Sequence, residues 1–240
     1  MIYLKKSLFT LATLMIISLL PVQAASSSSD SFLTPYSAVY STIWSKGIKL
    51  KIEGKQTLKK TSNNQWDFIF TADSLIASLD ERVHFEVKNH QILPLHYQYK
   101  SSLLGKKRSA VLDFDWHLMK VRNDVKNIPW YMPIEPNTVD KLSVQLQVRE
   151  DVKLGKKRFS YKIADGGHIK TWTFKRDKEE TINTKLGRIK AIKVTRTDNL
   201  DSGKKSSFWF APKYDYLLVK LVHKEDGQSY DLDIESFKKG

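Results

Sequence analysis

From residue 36 onward the chain alternates. Tyr36, Ala38, Tyr40, Thr42 and Trp44 are separated by polar or small neighbours, and Ile48, Leu50 and Ile52 repeat the pattern after Ser45-Lys46-Gly47. A period of two marks a strand with one buried face, and a short Gly-containing break between two such runs predicts a β-hairpin. The same grammar recurs in Trp66/Phe68/Phe70, Val83/Phe85/Val87, Leu95/Tyr97/Tyr99 and Ala110/Leu112/Phe114/Trp116. Later it returns in Phe159/Tyr161/Ile163, Trp172/Phe174, Ile192/Val194, Phe208/Phe210, Leu217/Val219/Leu221 and Tyr230/Leu232/Ile234. About a dozen strands are expected. Most connections are too short for a helical crossover, so the sheet should be antiparallel. So many strands must curl around their apolar face or stack on a second sheet. The expected fold class is therefore mainly β, a large curved antiparallel sheet or open barrel with one or two short helices.

Two segments depart from this period. Over Asn137–Arg149, Val139, Leu142, Leu146 and Arg149 sit at helical spacing, Asn137 or Thr138 suits an N-cap, and Asp140 suits a first turn. Leu142, Val144, Leu146 and Val148 alternate equally well as a strand, so both readings stay open. Asp73–Leu79 has the spacing of a short helical turn. Between strands and helix, Ile128–Pro136 carries three prolines and reads as an irregular link.

The N-terminus belongs to another category. Lys5 and Lys6 precede an uncharged apolar run from Leu8 to Leu20, Pro21 breaks it, and Val22 and Ala24 are small residues at signal-peptidase positions. Residues 1–24 are thus expected to be a secretory signal peptide, cleaved after Ala24. The run is short of the roughly 20 residues a membrane span needs. No transmembrane span is expected after cleavage. Residues 25–34 read as a Ser-rich flexible tether and 35–240 as a single β-rich domain. The implied location is the periplasm, where no nucleotide cofactor pool exists.

Composition narrows the chemistry. The chain contains no Cys, which excludes thiol nucleophiles, zinc–thiolate sites and iron–sulfur clusters. Without the signal peptide, 38 basic residues face 26 acidic ones, a net charge of +12. Such a surplus attracts anions. In this compartment that means an anionic envelope surface and not nucleic acid. Clusters at Lys59–Lys60, Lys106–Arg108, Lys156–Arg158, Lys204–Lys205 and Lys238–Lys239 lie near turn residues. If those turns share one end of the sheet, they form a basic rim.

No catalytic or cofactor motif stands out. There is no Gly-x-Ser-x-Gly elbow and no phosphate-binding Gly loop. The six His show no i, i+4 pair, and His84 with Glu86 reads as a solvated pair, so no metal site is expected. Asp113 and Asp115 share a strand face ~7 Å apart, a spacing within reach of glycosidic chemistry, though two acids on a polar face are usually just hydrated. Asp165-Gly166-Gly167 is a turn. The aromatics are the better lead: Trp130, Trp172, Phe174, Trp209 and Tyr216 are the candidate ligand-binding residues. Trp209 alternates against Phe208 and Phe210, so it should point outward if those two fill the core.

A series of phrases carries a resemblance. Asp113-Phe114-Asp115-Trp116, Asp140 to Arg149, Tyr161 to Gly167, Thr184-Lys185-Leu186-Gly187 and Phe208 to Lys220, with Val39 to Lys49 near the start, resemble bacterial envelope proteins of domain-of-unknown-function family 3108. The resemblance implies an exported, mostly antiparallel protein of Gram-negative-type bacteria and no known activity. In general shape it is similar to periplasmic lipoprotein carriers, which are open barrels around an apolar cavity. The expectation is a non-enzymatic binding or chaperone-like protein for a lipid or acylated envelope component. The alternatives are a structural module docking through a sheet edge and a hydrolase of an envelope polymer.

Overall fold

The computed structural model describes residues 32–44, 50–225 and 228–240. The signal segment, most of the tether and the Ser45-Lys46-Gly47 turn lie outside the described residues. Fifteen strands form one sheet. The first eight are β1 (Tyr36–Trp44), β2 (Leu50–Lys60), β3 (Gln65–Asp73), β4 (Ala77–Lys88), β5 (Gln91–Leu103), β6 (Lys106–Asp115), β7 (Lys120–Val125) and β8 (Ile128–Pro133). A short β9 (Thr138–Asp140) leads into the helix α1 (Val144–Lys153). Then follow β10 (Arg158–Ala164), β11 (Ile169–Thr184), β12 (Gly187–Arg196), β13 (Lys205–Ala211), β14 (Leu217–Glu225) and β15 (Gln228–Lys239).

The strand order runs from β8 back to β1, then from β15 back to β9. Every strand but the edge pair therefore lies beside its neighbours in sequence, and β1–β15 pairing ties the two halves together. All ladders are antiparallel except β9–β10, which is parallel because α1 crosses between them. The two sheet edges, β8 and β9, are consecutive in sequence and joined by only Ile134–Asn137, yet no ladder connects them among the described residues. Four residues cannot reach far. The sheet thus curls until its edges nearly meet.

Packing accounts for the curl. The row Tyr36–Leu58–Phe68–Val83–Tyr97–Leu112–Asn123 runs side by side across β1 to β7, and all seven are buried. A row of large side chains on one face can leave water only if the sheet wraps round it. α1 occupies the interior. Eight of its ten residues are buried. Leu146 joins the core of β1–β7, while Val144, Val148 and Val152 pack with Phe159, Ile163, Phe174, Val194 and Phe210 from the opposite wall.

The helix is polar as well as buried, and its polar side chains find local partners except at Arg149 Nη1. Gln147 accepts from the Ile92 amide at 2.9 Å and donates to the His90 carbonyl at 3.2 Å, clamping α1 to the β4–β5 turn. The Arg149 Nε–H donates to the Asp215 carbonyl at 2.7 Å, and the guanidinium lies 5.6 Å over the Tyr36 ring. Asp151 accepts from Tyr161 and pairs with Lys156 at 2.7 Å. Tyr36 donates to Gln56 at 2.7 Å and Tyr40 to the Leu218 carbonyl at 2.7 Å.

Several expectations need correction. Asn137–Arg149 is neither one helix nor one strand. Asn137 has φ +66°, Thr138–Asp140 is strand, and the helix starts only at Val144. Asp140 supplies the reason: its carboxylate takes the amides of Leu142 and Ser143 and the Ser143 hydroxyl, forming a turn before the helix. Asp73–Leu79 holds no helix. The Ala77 amide bonds to Ser74 Oγ, closing a tight turn into β4. Ile128–Pro133 is a strand, because Pro129 and Pro133 are acceptable on an edge whose amides have no partner. Order also reaches further back than residue 35: Leu33 is buried and Phe32 packs on His90, 5.6 Å between rings.

Burial raises the hydroxyl pKa of Tyr36, Tyr40, Tyr97 and Tyr161 above the usual ~10. The folded state holds these protons more tightly than the unfolded chain. Their contribution is therefore full below pH ~10 and lost as pH rises above it. Denaturant midpoints should fall steeply above pH ~10, with tyrosinate absorbance appearing only as the protein unfolds. Replacing Leu146 by Ala, at the contact between helix and wall, should cost about 2–5 kcal/mol in urea unfolding.

Candidate functional site

The inward rows become smaller toward one end of the barrel. Beside the row of large residues runs Ala38–Gln56–Phe70–Glu81–Tyr99–Ala110, and beyond it Tyr40–Gly54–Ala72–Leu79–Ser101–Arg108. Where Gly54, Ala72, Ser101 and Ala110 face inward, no side chains fill the interior. An open cavity of about 1200 Å³ results, walled also by Val39, Leu79, Tyr99 and Val125. This is the mouth formed by the turns after β3, β5, β7 and β10, since an up-and-down sheet places alternate turns at one end.

A side chain at Gly54 would have to displace the Phe70 ring. A Cβ would stand 2.5 Å from Phe70 Cζ. Gly166 is at φ +80°, and a Cβ on it would lie 3.0 Å from Ala110 Cβ, so the β10–β11 turn presses directly against β6. That contact shuts the side of the cavity that no ladder closes.

The rim is cationic. Lys55, Lys100, Lys107, Arg108, Lys126 and Lys141 line the cavity against Glu53, Asp73, Asp80 and Asp165. Arg82 holds Asp80 below the usual carboxylate range by its hydrogen bond. Burial pushes Asp165 up, but Lys170 and the His168 amide outweigh it and leave the carboxyl low. Deeper in, burial pushes Glu81 up, while the Tyr97 hydroxyl donates to it at 2.5 Å and the Lys141 charge acts against the rise. Lys141 lies 4.8 Å over the Tyr99 ring. The segment ahead of α1 therefore brings a further cation to the wall of the chamber.

Of the five basic clusters read from the sequence, Lys106–Arg108 and Lys204–Lys205 lie at this end of the sheet and the other three do not. Only Lys106–Arg108 borders the cavity. Lys59–Lys60, Lys156–Arg158 and Lys238–Lys239 sit at strand ends away from this mouth. The rim is built mostly from isolated lysines on separate strands and turns, a grouping that only the fold creates.

The expected aromatic residues also lie elsewhere, and none of the five lines the cavity. Trp172, Phe174 and Tyr216 share the core cluster under α1, with Trp172 6.5 Å from Phe174 and 4.0 Å beneath the Arg196 guanidinium. Trp130 packs on the other cluster from the edge strand β8. Trp209 does face away from Phe208 and Phe210, but it is 8% exposed. The β11–β12 hairpin folds over it. Glu180 on β11 accepts from its indole N–H at 2.5 Å, reaching across the small Ala191 of β12, and Lys193 lies 5.1 Å from its ring.

The acidic and histidine pairs are engaged in ordinary bonds. Asp113 pairs with His96 at 2.7 Å and with Arg122 at 3.5 Å, and Asp115 accepts the Leu118 amide at 2.8 Å. His84 bonds Asp67 at 2.7 Å, and Glu86 accepts from Gln65 at 3.0 Å, so these two do not pair with each other. Among the described residues no three His, Asp or Glu gather as metal ligands, and no helix is long and apolar enough to cross a membrane.

A curled sheet with nearly meeting edges, a central helix and one open mouth defines a β-barrel-like protein. Residues 36–235 match the family described as protein of unknown function DUF3108, and the chain belongs to it. The fold is similar to the crystal structure of a beta-barrel-like protein of domain of unknown function DUF1849 from Brucella abortus. The TM-score is 0.55 and the identity 8%, over 87% of this chain and 98% of that one. At that identity the likeness concerns fold alone. No curated protein matches the chain.

Replacing Gly54 by Ala should drive the Phe70 ring into the cavity and cost about 1–3 kcal/mol, read from urea midpoints at unchanged slope.

Proposed function

We propose that this is an exported, non-enzymatic binding or chaperone-like protein for an amphiphilic envelope component with an anionic head. One observation carries the reading: a chamber of about 1200 Å³ with small and apolar inner walls lies beneath a rim on which six cations outnumber four acids. That volume is somewhat above the usual range of ligand pockets, which run to ~1,000 Å³. An acyl or other apolar tail would leave water against Val39, Ala72, Leu79, Ala110 and Val125, at roughly 25 cal/mol per Å² buried. The head would meet Lys55, Lys100, Arg108 and Lys141. Lys141 has the strongest claim to a direct contact, because it stands over Tyr99 at the cavity wall. The N-terminal segment supports a periplasmic site of action, which would place such a guest within reach.

Docking through a sheet edge has less support. The free edge strand β8 carries Pro129 and Pro133, which block pairing at two of its six positions. Hydrolysis through Asp113 and Asp115 has little, since both acids are committed to local bonds.

Protein purified from its own envelope should retain a lipid or acylated guest in native mass spectrometry, with a mature chain starting at Ala25. Anilinonaphthalene sulfonate, an anionic apolar dye, should bind the emptied protein. Ala72→Trp should abolish that binding by filling the chamber, and Lys141→Glu should weaken it about tenfold, the cost of roughly 1.4 kcal/mol. A guest-free mass together with dye binding indifferent to Ala72→Trp would refute the reading.

A further inference from the structure

The same mouth carries apolar residues that the fold leaves bare. Ten large hydrophobic residues are exposed among the described residues, and Leu75, Leu103 and Leu104 gather at the tips after β3 and β5. Leu75 is 99% exposed and Leu104 66%. The tips are joined, since the Leu104 amide donates to the Ile76 carbonyl at 2.8 Å. Behind them cations predominate: Lys100 to Arg108 contains four and no acid, with Asp80 opposite Lys100 on β4. Lys126 follows on the next turn.

Leu104 is also in an unfavourable backbone state. Its φ is +49°, followed by Gly105 at +78°. A two-residue hairpin turn of this kind favours Asn, Asp or Gly at its first position, because a Cβ is strained there. The sister turns use Asn89-His90 and Lys126-Asn127, each with an Asn in the left-handed region. Leucine at Leu104 bears both backbone strain and water exposure.

We propose that this end of the barrel docks on an anionic lipid bilayer, with Leu75 and Leu104 inserted among the headgroups and acyl chains and Lys100, Lys106, Lys107, Arg108 and Lys126 against the anionic surface. The partner follows from the juxtaposition. Apolar tips suit a hydrocarbon boundary, and a rim whose cations outnumber its acids six to four favours a dense anionic surface. Docking requires no guest in the chamber, so membrane binding and cavity binding report separately. It would place the cavity opening on the lipid.

The test uses the mature full-length protein and sedimentation with two kinds of vesicle, phosphatidylcholine alone and phosphatidylcholine with phosphatidylglycerol. Binding is expected on the anionic vesicles, weakening as salt rises, and at least about tenfold weaker for Leu75→Asp with Leu104→Asp. Leu104→Asn suits the turn, so it should melt no lower than wild type yet bind vesicles less. Ala72→Trp should bind vesicles normally, so a protein that docks but takes up no dye overturns the cavity reading alone. Equal binding to both vesicles, no binding to either, or undiminished binding by the leucine variants would overturn the docking proposal.

Discussion

A helix with polar residues on most of its circumference sits where a barrel of this kind would ordinarily place apolar side chains, and the rest of the structure is arranged around satisfying it. Gln147 replaces a missing strand partner for the β4–β5 turn, Arg149 grips the 3-10 turn before β14 through Asp215, and Asp151 is shared between Tyr161 and Lys156. Each bond reaches a different wall. Removing any one partner would leave a desolvated group inside, at a cost of about 1–3 kcal/mol or more. The helix therefore fixes how far the walls can approach each other, which hydrophobic contact alone would leave unspecified.

This arrangement divides the interior. On the side of α1 toward β10–β14 the space is filled with Phe159, Phe174, Phe210 and the helix valines. Ahead of the helix N-terminus it is not filled, because the inward rows shrink to Gly54, Ala72, Ser101 and Ala110. A chamber persists between rigid walls without help from a guest. The buried carboxyls Glu81 and Asp140, both pushed up by desolvation, mark the boundary between the filled and open halves.

The fold was legible because alternation is a local signal that a half-buried strand can hardly avoid. Runs such as Trp66/Phe68/Phe70 and Val83/Phe85/Val87 became β3 and β4 facing the core. What alternation hides is the strand whose ends differ from its middle. β8 was missed because its prolines read as breakers when the edge position is unknown. The start of α1 was misplaced because Asp140 serves a turn three residues before the helix. The residues lining the cavity were not legible, since attention to large aromatics points at the core they fill. The usable signal was the opposite one, the replacement of large residues by Gly54, Ala72 and Ala110 at one end of successive runs. Trp209 illustrates the same limit: its parity was right, but a hairpin from elsewhere in the chain covers it.

The unbonded boundary between β8 and β9 has a mechanical consequence. Every other adjacent pair of strands is stitched by a ladder, so widening the barrel anywhere else means breaking main-chain bonds. Here only side-chain contacts and a four-residue strap resist, the strap being pinned by the Ile134 amide to Met119 at 3.0 Å and by Glu135 to Lys162 at 3.6 Å. The strap behaves like a short hinge pin with a fixed stop, since five Cα–Cα steps span at most about 19 Å. Any widening of the barrel is thereby directed to one seam and halted before the cylinder unrolls.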